Sequence, residues 1–378
     1  VSIYLDHAAS TPLADEARAA MLAQLDGAGA NPASDHAPGA EAATAVEAAR
    51  AQIAAAIGAQ PEEIVFTSGA TEADNLAIKG SLEFLGGGHL LTTRIEHKAV
   101  LDAAGRLAEQ GVPMSYVDPA ADGRVRVEDI AAALRPDTAL VSVMWVNNET
   151  GAINPIAEIA ALCAERGVRL HVDAAQALGR LPIDMAEVPV ALMSLSAHKC
   201  YGPKGIGALF VRRRPRARVA AQMHGGGHEQ GMRSGTLATH QIVGFGAAAE
   251  LAAARCEADY AHATGLAERL RSGLEGMPGL LMNSDPDACV PHIVNIAFDG
   301  IHGEALRAAT AELAVASGSA CSAADAESSY VLRALGRSDR QAGAALRIST
   351  GRDTTADNID RAVAVIGAAV ERLRAIAA

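Results

Sequence analysis

His171-Val172-Asp173-Ala174-Ala175-Gln176 and, further on, Ser196-Ala197-His198-Lys199 are the stretches on which the reading of this chain turns. An apolar run from Val168 to Val172 delivers an acid at its end, and a second run from Val190 to Leu195 delivers Ser-x-His-Lys. Each run has strand length and turn residues beyond it, so both polar ends should face one crevice of a parallel sheet. A lysine there is a poor metal ligand and a good Schiff-base amine. An acid that meets a pyridinium nitrogen is the partner that pyridoxal 5'-phosphate (PLP) needs as an electron sink. The pair predicts that Lys199 carries PLP and that Asp173 keeps its ring nitrogen protonated. The competing reading is a solvated lysine beside a strand-end aspartate, and the other strand ends must decide between the two.

The whole composition narrows the classes. With 378 residues the chain has room for two domains and a large core. Half the residues are hydrophobic but only 3% are aromatic, so the core must be Ala, Val, Leu and Ile. A net charge of −12 argues against a strong nucleic-acid site. The one basic run, Arg212-Arg213-Arg214-Pro215-Arg216-Ala217-Arg218, follows the strand-like Gly207 to Val211 and reads as a solvated loop; an acidic partner or an RNA backbone is the alternative. Cys163, Cys200, Cys256, Cys289 and Cys321 are odd in number and contain no C-x-x-C pair. A disulfide framework and a sequence-local zinc site are thereby excluded, and a reducing cytoplasm is expected. Ser2-Ile3-Tyr4-Leu5-Asp6 lacks the basic-apolar pattern of a leader, and no apolar segment approaches a membrane span.

In chain order, a short strand and turn (1–14) precede a helix from about Ala14 to Leu25, a Gly/Pro/Asn-rich loop from Gly27 to Gly39, and a helix from about Glu41 to Ile57. Glu63 to Ser68 reads as a strand, followed by Gly69-Ala70-Thr71-Glu72 and a helix, the arrangement that aims backbone N–H groups and a hydroxyl at a phosphate. The strand His89 to Thr93 leads to Glu96-His97-Lys98, where a flat imidazole is either a surface group or a ring-stacking proton shuttle. Leu140 to Val146 is a buried strand ending in Asn147-Asn148-Glu149-Thr150-Gly151, whose amides suit a phenolate or carboxylate, or simply a turn. Every polar cluster lies at the carboxyl end of a predicted strand. The alternating order from 60 to 210 implies a doubly wound, mostly parallel sheet. His224 and His228 would suit zinc only on a helix, which the three glycines between them oppose; Arg233-Ser234-Gly235-Thr236 is a phosphate-friendly loop.

A helix from about Gln241 to Arg271 leads to a second domain, with strands at Ile293–Phe298 and Leu346–Ser349 and a closing helix from Ala356. Within it, Ser317-Gly318-Ser319-Ala320-Cys321 opens a stretch of small residues. Local composition makes Cys321 the candidate reactive thiol, with Cys200 beside Lys199 as its rival; Cys163 and Cys256 read as packing.

Assembled, the chain resembles the cysteine desulfurases of the IscS/NifS type from Tyr4-Leu5-Asp6 to Gly351-Arg352. The resemblance is carried by Phe66-Thr67-Ser68-Gly69-Ala70-Thr71-Glu72, Val146-Asn147-Asn148-Glu149, Tyr201-Gly202-Pro203-Lys204-Gly205 and Ser317-Gly318-Ser319-Ala320-Cys321. It implies an α/β fold of the PLP-dependent transferase fold type I (class V aminotransferase). A mostly parallel large domain (15–255) would stand beside a smaller α+β domain (1–14 and 256–378) carrying the catalytic cysteine loop. It further implies a homodimer that converts L-cysteine to L-alanine and hands sulfur to an acceptor protein, for Fe–S cluster assembly or thio-modification of nucleic acid.

By the same resemblance Lys199 would hold PLP and move protons, Asp173 would meet the pyridine nitrogen, Gln176 the ring hydroxyl, and His97 would stack on the ring. Ala70, Thr71, Ser196 and His198 would bind the phosphate, joined by Thr236 from the other subunit. Asn148 and Arg347 would hold the substrate carboxylate, the arginine as a fork, and Cys321 would take the sulfur as a persulfide. No metal is implied. The chain departs from the family at Ala197, often glycine, and at Ser322-Ala323-Ala324-Asp325-Ala326, carries Trp145 where close relatives have His or Trp, and stops at Ala378 without the tail that some relatives use to dock a scaffold. A selenocysteine lyase or PLP aminotransferase on the same fold is the alternative, and neither requires Cys321. A non-catalytic scaffold would have no use for the full set, and an NAD enzyme lacks its G-x-G-x-x-G.

Overall fold

Adjacent residues of a strand point to opposite faces, and the apolar runs of this chain supply both faces at once. Leu90 and Leu91, Leu140 and Val141, Leu192 and Met193, and Leu209 and Phe210 each split between separate buried clusters on either side of one sheet. The computed structural model describes residues 2–316 and 328–377 of the chain. Among them, seven strands form that sheet in the order Ile64–Thr67, Gly207–Val211, Leu192–Ser196, Arg169–Asp173, Thr138–Met144, His89–Thr93, Met114–Val117. All neighbours pair in parallel except Gly207–Val211, which is antiparallel to both of its own. The carboxyl ends of six strands therefore share one edge, which the antiparallel strand meets with its first residue, Gly207.

One face is covered by the helices Asp15–Leu25, Ala37–Ala56 and Thr239–Leu274, packed along each other. The other is covered by Ala70–Leu85 and Lys98–Glu109, whose Ile78, Leu82, Val100, Ala104 and Leu107 close on Leu90 and Leu140. A second sheet, Ala345–Ser349, Ile293–Phe298 and Leu280–Met282, is antiparallel. It has its own core, where Leu266, Leu270 and Leu274 of the long helix meet Ile359, Ile366 and Val370 of the helix Ala356–Ala377. Ile3–Tyr4 pairs in parallel with Leu313–Ala314.

Two boundaries differ from the sequence reading for physical reasons. The helix expected from Glu41 starts at Ala37, because His36 caps it by accepting the Gly39 N–H at Nδ1 (3.1 Å) and Pro38 fits the first turn. The strand expected to reach Val146 stops at Met144, since the Asn147 N–H turns to the Ala152 carbonyl (2.9 Å). Among the described residues no helix is long and apolar enough to cross a membrane.

Candidate functional site

The strand ends line one cavity of about 490 Å³, within the usual range for small-molecule sites. Lys199, Asp173, His97, Gln176, Ser196, His198, Ala70, Thr71, Asn148 and Arg347 all face it. Two expected residues do not. Thr236 is exposed and outside the cavity lining, and Cys321 lies outside the described residues. Cys163, Cys200 and Cys289 are buried, and burial pushes each thiol up to about 12, which removes the nucleophilic thiolate at neutral pH.

Lys199 ends a single 3-10 turn, Ala197–Lys199, directly after the strand Leu192–Ser196. Its ammonium donates to the carbonyls of Ala8 (2.5 Å) and Ala9 (2.9 Å). Gln176 also donates to the Ala8 carbonyl, at 2.7 Å, and Thr11 bonds the His198 carbonyl at 2.9 Å. The segment from Ala8 to Thr11 thus forms one wall, and Ala9 and Ser10 line the cavity. Sequence reasoning gave that segment no role, because its partners lie some 190 positions away; its small residues next to a proline were the only local signal.

Asp173 is buried at the end of its strand, where Oδ1 accepts the Ala175 N–H (2.9 Å). Burial raises its pKa, and the charges of His97 and Lys199 oppose that rise. His97 caps the helix Lys98–Glu109 by accepting the Ala99 N–H at Nδ1 (3.1 Å), so a neutral ring carries its proton on Nε2. Burial, then Lys199 and Lys204, push His198 down to about 4, leaving it neutral beside two cations. Two further acids that sequence reasoning passed over, Asp74 and Glu96, are fully buried and electrostatically linked to Asp173.

Ala70 and Thr71 open the helix Ala70–Leu85, whose first-turn N–H groups have no intrahelical acceptors and carry the positive end of the helix dipole. Across the cavity, Arg347 is held by the Asn148 carbonyl (2.8 Å) and by Asp6 Oδ1 (2.9 Å). Its Nε, and Oδ1 of Asn148, are buried without partners. Polar atoms left unsatisfied in a cavity wall are costly unless a ligand completes them.

This donor set fits PLP. A primary amine, a helix amino end for a phosphate, and a buried strand-end carboxylate converge on one cavity, where a protonated ring nitrogen would pair with that carboxylate. The class-V aminotransferase family model matches residues 3–362. The chain is 52% identical to cysteine desulfurase IscS of Methylococcus capsulatus, over 99% of this chain and 94% of that one. It is 51% identical to IscS of Neisseria meningitidis serogroup C, over 98% and 93%. Among solved structures it is similar to a NifS-like protein, with a TM-score of 0.92 and 32% identity over 99% of this chain and 100% of that chain. It is similar also to SspA in complex with cysteine, with a TM-score of 0.83 and 36% identity over 94% and 100%. The chain belongs to the class-V aminotransferases, fold-type I PLP enzymes, and within them to the cysteine desulfurases of the IscS/NifS type.

Proposed function

We propose that this protein removes sulfur from L-cysteine, leaves L-alanine, and receives the sulfur as a persulfide on Cys321 before passing it to an acceptor protein. The observation that carries the reading is the convergence of Lys199, Asp173, His97, Asn148 and Arg347 on one cavity, in a chain half identical to IscS proteins. Bound there, PLP supplies an electron sink for the bonds at the substrate's α-carbon.

The protein's own groups do the rest. Asp173 would hold the proton of the ring nitrogen, Gln176 would meet the ring hydroxyl, and His97 would cover the ring. Lys199 takes and returns the proton of the substrate α-carbon. Ala70, Thr71, Ser196 and His198 would hold the phosphate. Asn148 and Arg347 hold the substrate carboxylate, and the unpartnered Arg347 Nε supports that assignment. The Cys321 thiolate attacks the substrate sulfur. An S–S bond forms as the Cβ–S bond breaks, the electron pair stays on the carbon side, and protonation gives the alanine methyl. Cysteine and a thiol thus become alanine and a persulfide, with atoms and electrons balanced.

The exposure of Thr236, outside the cavity of its own chain, supports a homodimer in which this residue completes the phosphate site across the interface. The unpaired state of the four described cysteines supports a cytoplasmic location. An Fe–S scaffold or a thiolation carrier is the proposed acceptor.

The test is the visible spectrum of the purified protein, with alanine and sulfide released from L-cysteine plus a thiol, for wild type, Lys199→Ala and Cys321→Ala. A yellow wild type that Lys199→Ala bleaches, with turnover lost in both variants, is the expected result. Turnover that survives Cys321→Ala would move the protein to the lyase or aminotransferase reading.

A further inference from the structure

A second, smaller cavity of about 40 Å³ is lined by Arg180, Tyr201, Asp259, His292, Thr350 and Arg352, among others. Its charges do not balance. Among the described residues Asp259 is the only carboxylate in the lining, and it already lies between Arg352 (2.6 Å) and Arg255 (3.2 Å). Arg180 is left with neutral acceptors. It donates to Gln176 Oε1 and reaches the carbonyls of His7 and Lys199 only at 3.4 Å. No carboxylate pairs with it among the described residues, and burial pushes its guanidinium down to about 10.

Two neutral groups in the same lining are also unsatisfied. His292 and Thr350 are each 6% exposed, and His292 Nε2 and Thr350 Oγ1 have no hydrogen-bond partner. Water alone would satisfy these two atoms and leave the partly buried guanidinium of Arg180 without a counter-charge. An anion does both. The space open to a water-sized body, about 40 Å³, suits a small ion.

We propose that this cavity binds a small inorganic monoanion of halide size, held by Arg180 together with His292 and Thr350. The site is separate from the cofactor cavity but joined to it through Arg180, whose partners include Gln176 and the Lys199 carbonyl. Its occupancy should therefore stiffen the Lys199 turn and register as stability.

The experiment uses the PLP-loaded enzyme and bromide. Anomalous diffraction from bromide-soaked crystals should show a peak beside the Arg180 guanidinium. Thermal unfolding at constant ionic strength, with gluconate as the balancing anion, should show a Tm that rises saturably with millimolar bromide. Thr350→Val, which keeps the packing, should shift half-saturation about tenfold upward, as loss of one charge-assisted hydrogen bond requires. Arg180→Gln should abolish the effect, and Thr350→Val carries the test if that variant does not fold. A cavity without an anomalous peak overturns the proposal. So does a peak that appears only at molar bromide without saturable stabilisation, which is an adventitious ion only. Stabilisation by bromide that both variants retain in full overturns it too.

Discussion

Glu96 contributes a pH dependence of its own to the stability of this protein. It is fully buried one position before His97; Oε1 accepts the Thr93 hydroxyl (2.7 Å) and the Met144 N–H (3.0 Å), and Oε2 is buried without a partner. Burial, then the charge of Asp173, pushes its carboxyl up from 4.5 to about 8. A folded pKa above the unfolded one means that the folded state binds the extra proton. The contribution is therefore whole below 4.5 and is lost as pH rises to about 8. His171 behaves in the opposite sense: fully buried between Ser142 and Ser194, it falls from 6.5 to about 3, so its contribution is whole above 6.5 and is lost as pH falls. Above pH 6.5 His171 no longer contributes a slope, and between pH 6.5 and 8 Glu96 should add a drop on the order of 1.4 kcal/mol per pH unit, beside any from Asp74 and Asp173, which burial also raises. Glu96→Gln keeps an acceptor for both donors and should make the slope shallower by that share. Urea unfolding of both proteins across this range measures it, and parallel curves would sink the assignment. Asp173 and Lys199 were legible in the sequence because an apolar run ends on each, whereas a glutamate after a strand reads as a solvated turn. Its burial comes from Met144, 48 positions away.

At the scale of elements, the phosphate helix depends on two backbones touching where a strand becomes a turn. Thr67 pairs with Gly207, and a Cβ on Gly207 would lie 2.5 Å from the Leu195 carbonyl oxygen and 2.7 Å from Gly69 Cα. Both obstacles are backbone, so neither can move aside without shifting the strand that aims Ala70 and Thr71. Gly207→Ala should cost about 1–3 kcal/mol and lower the PLP absorbance retained per subunit after gel filtration. Gly105, inside the helix Lys98–Glu109, meets nothing within 4 Å when given a Cβ. The same substitution there should stabilise by about 0.5–1 kcal/mol, since alanine is the better helix former. Opposite signs for the two are the expected outcome of paired denaturant curves; equal losses would mean that propensity and close approach are not the deciding terms. The strands of the large sheet were readable because each is a buried run ended by turn residues. Leu280–Met282 and Leu313–Ala314 were not, because three and two residues carry no period and the strands exist only through distant partners.

Across the whole molecule, the first residues of the chain meet a strand some 340 positions on beside the site. The segment from Leu5 to Ala8 bonds to Ser349, through the Ser349 N–H to the Leu5 carbonyl (2.7 Å) and the Ala8 N–H to Ser349 Oγ (2.9 Å). The next residues supply the carbonyls that hold Lys199. The Asp6–Arg347 pair spans 341 positions, so no local pattern could have announced it, although each residue stands in a recognisable string. The side chain of Arg347 is 4% exposed and that of Asp6 23%. Removing the acid leaves a nearly buried cation unpaired, and with Asp6 partly solvated the cost should be about 2 kcal/mol rather than the 3–5 of a fully buried pair. If Arg347 also receives the substrate carboxylate, a ligand carboxylate can take the vacated place. Saturating L-alanine should then raise the Tm of the PLP-loaded Asp6→Ala protein more than that of wild type. An Asp6→Ala protein as stable as wild type would make the pair irrelevant to the fold. One that is destabilised but indifferent to L-alanine would leave Arg347 a structural residue and move the carboxylate site elsewhere in the cavity.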